Sequence, residues 1–570
     1  MRRQLTHRGA GFQSVERSHA SLGMLTSRHE APRREQLSGW CSDGGDRIVA
    51  INGFLTSHAA GAEGEKQIFS SVAEPDFVTH WDGDFVAAVF DATGIRLIRD
   101  AAGARSVYWA KVGRRWVFAS EPKAISTLPG FTRTLSPRAL VQYLTFSFVP
   151  GPGTMLAGIH ALPAGHVLDM RTGHSPVSTR YFEFERNEPS NDLRFHADRV
   201  EPVDSARWVA DFQQRFRTSV LQRLSDQEAP VVFLSGGLDS SVVTAELVKH
   251  VPKLKTFALH FGSEYKNELV YAAAVAQRCS TDHHEVLIRP SDFLPRLRQM
   301  VWHLDDPIGD PITMPNFELA SRVSQISPWI FNGEGGDPCF GGPKNMPMML
   351  SHWYGGINRG PRFREQEYLA SYRRGYEELS HLLTDDVLSA VDVEEDLEGV
   401  LTPFFNCQSP RYFLNKLTAI NIRLKGAHLI LPKVERMLAA SGATPLSPLF
   451  SSDMIRYSFE LPPRLKLHGG NEKVVLKRAY RDQLPAEVIE RPKSGMRVPV
   501  HFWFQGELKH YARRILNRRE IRRAGIFRYE RVKQLLNYDI EEGPGRYGLR
   551  LWMLLTFEIW RRIVIENEPL

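Results

Sequence analysis

Four apolar residues, Val231-Val232-Phe233-Leu234, run directly into Ser235-Gly236-Gly237-Leu238-Asp239-Ser240-Ser241. No other juncture constrains the chain as much. The apolar run reads as a buried strand and Ser-Gly-Gly as a tight turn. A helix follows from about Ser240, with Val242, Val243, Leu247 and Val248 on its apolar face. Glycines let the backbone come close to an anion. The first helical amides point into the turn, where the positive end of the helix dipole favours negative charge. Residues 233–241 therefore form a candidate phosphate cradle. It lacks the Lys of a GxxxxGK loop and offers Asp239 and several hydroxyls instead, a set suited to magnesium bridging phosphates.

The stretches around the cradle alternate between strand and helix. Residues 254–261, 284–288 and 328–331 read as strands, and 270–278 and 317–323 as helices. This order predicts an α/β fold with a doubly wound parallel sheet that binds ligands at the carboxyl ends of its strands. Residues 235–241, the 259–261 segment beginning at Leu259, and the glycine-rich Asn332-Gly333-Glu334-Gly335-Gly336-Asp337 should meet at that edge. Residues 1–185 differ in texture. Short β-like runs at 47–51, 85–90, 95–98 and 116–119, separated by Gly and Asp turns, predict a layered β-rich domain. A polar stretch at 186–205 reads as a linker to a second unit, 206–570.

A length of 570 residues allows about three to four domain-sized units. Hydrophobic content of 42% and charged content of 24% are those of a soluble globular protein. A net charge of +7 over this length gives no case for nucleic acid. The late arginines at 513, 514, 518, 519, 522 and 523 read as a solvated helix face or as a rim attracting anionic substrates. Cys41, Cys279, Cys339 and Cys407 form no CxxC pair, so a reducing, cytoplasmic setting is expected. Thr281-Asp282-His283-His284-Glu285 offers no third ligand on a common face, so zinc is not expected. No secretory leader is expected from the first residues, and residues 551–560 read as a core helix too short to span a bilayer.

SGGLDSS resembles the pyrophosphate loop of the ATP pyrophosphatase superfamily, and most of all that of the asparagine synthetase family, whose cousins include β-lactam synthetase and the lasso-peptide cyclases. The resemblance continues in Asn332–Asp337, in Lys433-Val434-Glu435-Arg436-Met437, and in Arg491-Pro492-Lys493-Ser494-Gly495-Met496. It implies ATP and Mg²⁺ as cofactors, with Asp239 and Asp337 holding the metal and residues 233–241, Leu259, Asn332 and Gly333 binding ATP and pyrophosphate. It further implies that Glu334 takes a proton from an attacking amine or ammonia, and that Lys493 faces the phosphates.

In the N-terminal part, His7-Arg8-Gly9, Asn52-Gly53, Asp84-Phe85, residues 99–105 and Phe118-Ala119-Ser120-Glu121 resemble the family's type 2 glutaminase half. Asn52 and Gly53 match its oxyanion-hole pair. The family's nucleophile is a Cys directly after the initiator Met, where this chain has Arg2. As written, it is expected not to hydrolyse glutamine by that mechanism. Either this half is a truncated scaffold with a vestigial glutamine site, or a Met-Cys-Gly strand is missing upstream through a late start codon.

The largest departure lies at 444–451. The family carries Glu-x-Arg-x-Pro-Phe-Leu-Asp at the acceptor site, and this chain carries Thr444, Leu446 and Ser451 in place of the Glu, Arg and Asp. Losing the Arg removes a bidentate carboxylate clamp, so Thr444 and Leu446 are expected to line an acceptor pocket not built for free aspartate. The expected function is an ATP-dependent amide ligase that adenylates a small-molecule or peptide carboxylate and lets ammonia or an amine displace AMP. The alternatives are a genuine asparagine synthetase and a nucleotide-binding pseudoenzyme. A tRNA-modifying relative would want an RNA-binding extension, for which the late arginines are the only candidate. No nucleic-acid or membrane partner is expected, and a homodimer is compatible with the sequence.

Overall fold

The computed structural model describes the chain apart from residues 10, 17–20, 27–35, 44–46, 60, 73–75, 172, 189–201, 227, 343–344, 355–359, 492–494 and 539–546. A hairpin of β1 (Gly11–Glu16) and β2 (Ser21–Thr26) precedes an antiparallel six-stranded sheet. That sheet contains β3 (Gln36–Ser42), β4 (Ile48–Ala59), β5 (Gly83–Asp91) and β6 (Gly94–Arg99). A smaller sheet of β7 (Tyr108–Val112), β8 (Arg115–Ala119) and β9 (Ile159–Ala161) interrupts the sequence. The larger sheet is then completed by β10 (His166–Arg171) and β11 (Val177–Arg180). Strand β5 shows why this is a layered domain. Phe85, Ala87 and Val89 enter one core, and Val86, Ala88 and Phe90 enter another, so the period-two alternation buries both faces.

The C-terminal unit is built on a five-stranded parallel sheet in the order β14-β13-β12-β15-β16. Its strands are β12 (Val231–Phe233), β13 (Lys255–His260), β14 (Asp282–Leu287), β15 (Trp329–Phe331) and β16 (Thr444–Leu446). All four pairings are parallel. From β12 the chain moves outward to β13 and β14, then returns to the other side of β12 for β15. The switch point therefore lies between β12 and β15, where their carboxyl-end loops diverge and leave a crevice. Helices Leu238–Leu247, Leu269–Cys279 and Thr313–Val323 lie where the apolar periodicity puts them, the last starting four residues earlier than its apolar pattern.

Strand β16 is the strand of the parallel sheet that the sequence pattern did not reveal. Thr444 N–H donates to Pro328 O at 2.7 Å, and Asn332 N–H to Leu446 O at 3.1 Å. Pro445 sits inside it, which an edge strand tolerates because no further strand needs its missing N–H. Of the expected linker, residues 189–201 lie outside the described residues, and 202–205 already belong to helix Pro202–Arg223. Helix Tyr547–Trp560 is almost wholly buried, and no described helix is long and apolar enough to cross a membrane.

Buried ion pairs join the two parts. Arg223 grips Asp84 of β5 through two bonds, Nη2 to Oδ1 at 2.6 Å and Nε to Oδ2 at 3.1 Å. Removing one partner of such a pair strands a buried charge. Arg223→Met is expected to lower stability by about 3–5 kcal/mol, and the double variant Asp84→Leu/Arg223→Met to recover most of that loss. Urea denaturation followed by tryptophan fluorescence checks both.

Candidate functional site

The turn after β12 is braced by its own hydroxyls. Ser235 N–H donates to Ser240 Oγ at 3.2 Å, and the Ser240 and Ser241 hydroxyls donate to Gly237 O at 3.1 and 2.8 Å. Gly236 takes φ +77°, and a Cβ there would lie 2.6 Å from the Ala272 amide nitrogen, so only glycine fits. The loop after β15 lies directly on this turn. A Cβ on Gly333 would meet Ser240 N at 2.5 Å, and one on Gly336 would meet Asp239 Oδ1 at 2.1 Å. The second glycine run therefore permits the backbone contact that brings Asp337 and Glu334 beside Asp239.

Lys473 sits at the junction. Its Nζ is 2.5 Å from Asp239 Oδ2 and 2.5 Å from Asp337 Oδ1. Burial alone would depress this ammonium, but the two carboxylates outweigh it and hold its pKa above the ordinary lysine value. The residue starts helix Val474–Ala479 with φ +55°, a left-handed conformation that costs a non-glycine residue about 1 kcal/mol or more. Asp239 and Asp337 thus reach one cation from two loops. This fits Mg²⁺, which takes one or two carboxylates and completes its shell with water and phosphate oxygens. Among the described residues there is no cluster of three or more His, Cys, Asp or Glu that could hold a metal alone.

A cavity of about 270 Å³ opens from this junction. Phe233, Leu234, Ser235, Gly237, Leu238, Asp239, Ser240, Leu259, Asn332, Gly333 and Glu334 all line it. Gly236 and Ser241 shape the turn behind it, and Asp337 reaches Lys473. Four described cations line the cavity. Lys433 is paired with Asp310 at 2.9 Å and Arg491 with Glu268 at 2.6 Å, while Lys473 holds both aspartates. Lys477, one turn beyond Lys473, has no carboxylate partner among the described residues. Burial opposes the Lys433 charge, and Asp310, then Glu334, outweigh it and raise its pKa. The sequence reading passed over Lys473 and Lys477. Their only signal was position, after the Gly469-Gly470 turn and at the head of a short helix. Lys493 lies outside the described residues.

The acceptor-pocket expectation needs correcting on geometry. Leu446 is fully buried in the core, because pairing of β16 with β15 turns it inward. Thr444 lines a different cavity of about 230 Å³, together with Asn52, Gly53, His7, Arg8 and Arg105. The wall of the first cavity away from the glycine loops is instead formed by Ile312, Asn316, Leu319 and Val434. A pocket of about 10 Å³, room for about one water, shares Arg105 with the second cavity and Val434 with the first. Residues between 431 and 444 contribute to the lining of all three spaces.

Helix Leu431–Ala439 contributes to each of them. Its Glu435 binds Arg8 at 2.5 Å and Arg105 at 3.3 Å. Arg8 also binds Glu121, which His7 Nε2 approaches at 2.8 Å and which Lys123 contacts as well. Burial would raise the Glu121 and Glu435 carboxyls; Arg8 first, then Lys123 and His7 at Glu121 and Arg105 at Glu435, keep them below the usual range.

A family profile described as Asparagine synthase matches residues 211–562, and one described as Glutamine amidotransferase domain matches 67–182. Asparagine synthetase [glutamine-hydrolyzing] 1 of Bacillus subtilis is 24% identical over 498 residues, covering 82% of this chain and 75% of that protein. The putative asparagine synthetase [glutamine-hydrolyzing] of Mycobacterium tuberculosis is 26% identical over 522 residues, covering 85% and 77%. The amidase chyE of Penicillium rubens is 27% identical over 286 residues, covering 47% and 40%.

Replacing Lys473 by Met leaves Asp239 and Asp337 facing each other without a countercharge. Lys473→Met is expected to lose about 3–5 kcal/mol of stability in EDTA. Millimolar Mg²⁺ should then raise its thermal midpoint by more than that of the wild type, and equal shifts would rule out this carboxylate pair as the divalent site.

Proposed function

The chain belongs to the asparagine synthase family, and from that premise we propose that it is an ATP-dependent, AMP-forming amide ligase whose acceptor is not free aspartate. The observation that carries this reading is the meeting of two glycine loops at the switch point, with Asp239, Asp337 and Lys473 joined on one side of the cavity and Glu334 lining it. Without a GxxxxGK lysine, the 235–241 turn and the first amides of its helix are suited to hold pyrophosphate as a leaving group rather than to pass on a γ-phosphoryl group. Bound Mg²⁺ would lie against Asp239 and Asp337 and screen phosphate charge.

In this reading the acceptor carboxylate attacks the α-phosphorus, and pyrophosphate leaves. Lys473 and Lys477 stabilise the charge that develops on it, with Lys493 a further candidate. A nitrogen nucleophile then displaces AMP, and Glu334 takes its proton. The acceptor inference follows from the cation inventory. Arg491 is engaged by Glu268 and Lys433 by Asp310, so no free bidentate arginine lines the cavity among the described residues. Ile312, Leu319 and Val434 favour a larger, less charged body. The pocket of about 10 Å³ that shares lining residues with both larger cavities suits a species the size of ammonia better than a bulky amine.

Exchange of labelled pyrophosphate into ATP, measured over a panel of carboxylates that includes aspartate, tests the reading. Exchange is expected with a carboxylate other than aspartate, and Asp239→Ala should lower it by about two orders of magnitude. Aspartate-dependent exchange with asparagine as product would replace the acceptor inference by plain asparagine synthesis.

A further inference from the structure

On the cavity wall away from the glycine loops, Asn316 stands among Ile312, Leu319 and Val434. The helix puts it there. At the start of helix Thr313–Val323 the Asn316 N–H donates to Ile312 O at 3.1 Å, so positions 312, 316 and 319 share one helical face. That face would be wholly apolar but for Asn316. Its neighbours Thr313, Met314, Pro315 and Phe317 are buried, whereas Asn316 is partly exposed. Its side chain makes no hydrogen bond to another described residue, and its amide is open rather than sealed in the core. A polar group kept unpaired on an apolar cavity wall is free to pair with whatever fills the cavity.

This wall borders the candidate base. Helix Leu431–Ala439 packs against helix Thr313–Val323 and carries Lys433, which pairs with Asp310 at 2.9 Å and also feels the charge of Glu334. In the ligase reading, on which this step rests, the acyl group lies beside Glu334 and the body of the acid lies along the wall. We infer that Asn316 sets the acceptor class by pairing with an uncharged carboxamide on an otherwise apolar carboxylic acid. An Asn side chain offers a carbonyl acceptor and an NH₂ donor side by side. A primary carboxamide offers the matching pair, so the two can exchange N–H···O=C bonds reciprocally. An ammonium would lose its hydration beside Ile312, Leu319 and Val434 and gain only a neutral amide. A second carboxylate would meet Lys433 already neutralised by Asp310. A hydrocarbon body would cover Asn316 and leave it without a partner.

Matched acids separate this role from a structural one. Succinamate, glutaramate and adipamate are each compared with the alkanoate in which an isopropyl group replaces the carboxamide. The readout is kcat/KM for acid-dependent exchange of labelled pyrophosphate into ATP. Wild type is expected to prefer a carboxamide acid over its isostere by about tenfold or more. Asn316→Leu is expected to lower that ratio by about tenfold or more, erasing or inverting the preference. Damage to the fold or to the nucleotide site lowers both members of a pair alike, so an unchanged ratio in Asn316→Leu would overturn the assignment. A wild-type ratio near one would overturn it as well. So would exchange with other carboxylates and with none of the three carboxamides, an outcome that leaves the ligase reading standing. Absence of exchange in the wild type with every acid would instead sink the ligase reading and this inference with it.

Discussion

Two aspartates from different strands share one ammonium, and the C-terminal unit is arranged around that contact. Asp239 follows β12 and Asp337 follows β15, and Lys473 lies 2.5 Å from each. Neither carboxylate could sit so near the other in a partly buried place without a countercharge. The approach needs glycine at 333 and 336, where a single Cβ would collide with the partner turn. It also needs Lys473 in a left-handed conformation, which its two ion pairs sustain. The Lys473 N–H donates to Lys466 O at 2.7 Å, so the hairpin that presents the lysine is closed at its base. One electrostatic triangle thereby ties the helical layer after residue 460 to the open edge of the sheet.

Helix Leu431–Ala439 extends the dependence to the N-terminal part. Lys433 and Val434 face the large cavity, while Glu435, one residue on, is held by Arg8 and Arg105. Arg436 lies over Tyr108 and contacts its hydroxyl. The same four residues line the cavity with one face and bind the N-terminal half with the other. That half therefore supports the site mechanically whether or not it carries chemistry of its own. Loss of Arg8 would leave Glu435 with Arg105 as its ion-pair partner on this helix.

The parallel sheet, its open edge and the two glycine loops were legible in the sequence because each rests on local signals: a short apolar run, a Gly turn, then helical periodicity. What was not legible rests on distant pairing. Strand β16 is three residues with a proline in the middle, and its only reason to be extended is the backbone of β15 beside it. Read without that partner, Leu446 looked like a pocket residue, whereas the pairing turns it into the core. Lys473 was hidden for a similar reason. A lysine after a Gly-Gly turn is ordinary, and only the meeting of β12 and β15 places two carboxylates in front of it. Lys493, chosen from a local phrase, lies outside the described residues.

The charges lining the cavity bear on the kind of phosphate chemistry it suits. Lys433, Lys473 and Arg491 are each already neutralised by a carboxylate, and Lys477 alone among the described lining cations is not. A polyphosphate entering here meets backbone amides, hydroxyls and ion pairs rather than a field of unpaired cations. Such a site is suited to a polyphosphate that arrives with its own metal ion. For a γ-phosphoryl transfer the loss of free cations near the terminal phosphate would be a handicap. In the proposed reaction it is an advantage, because the group that must leave is the one these residues hold.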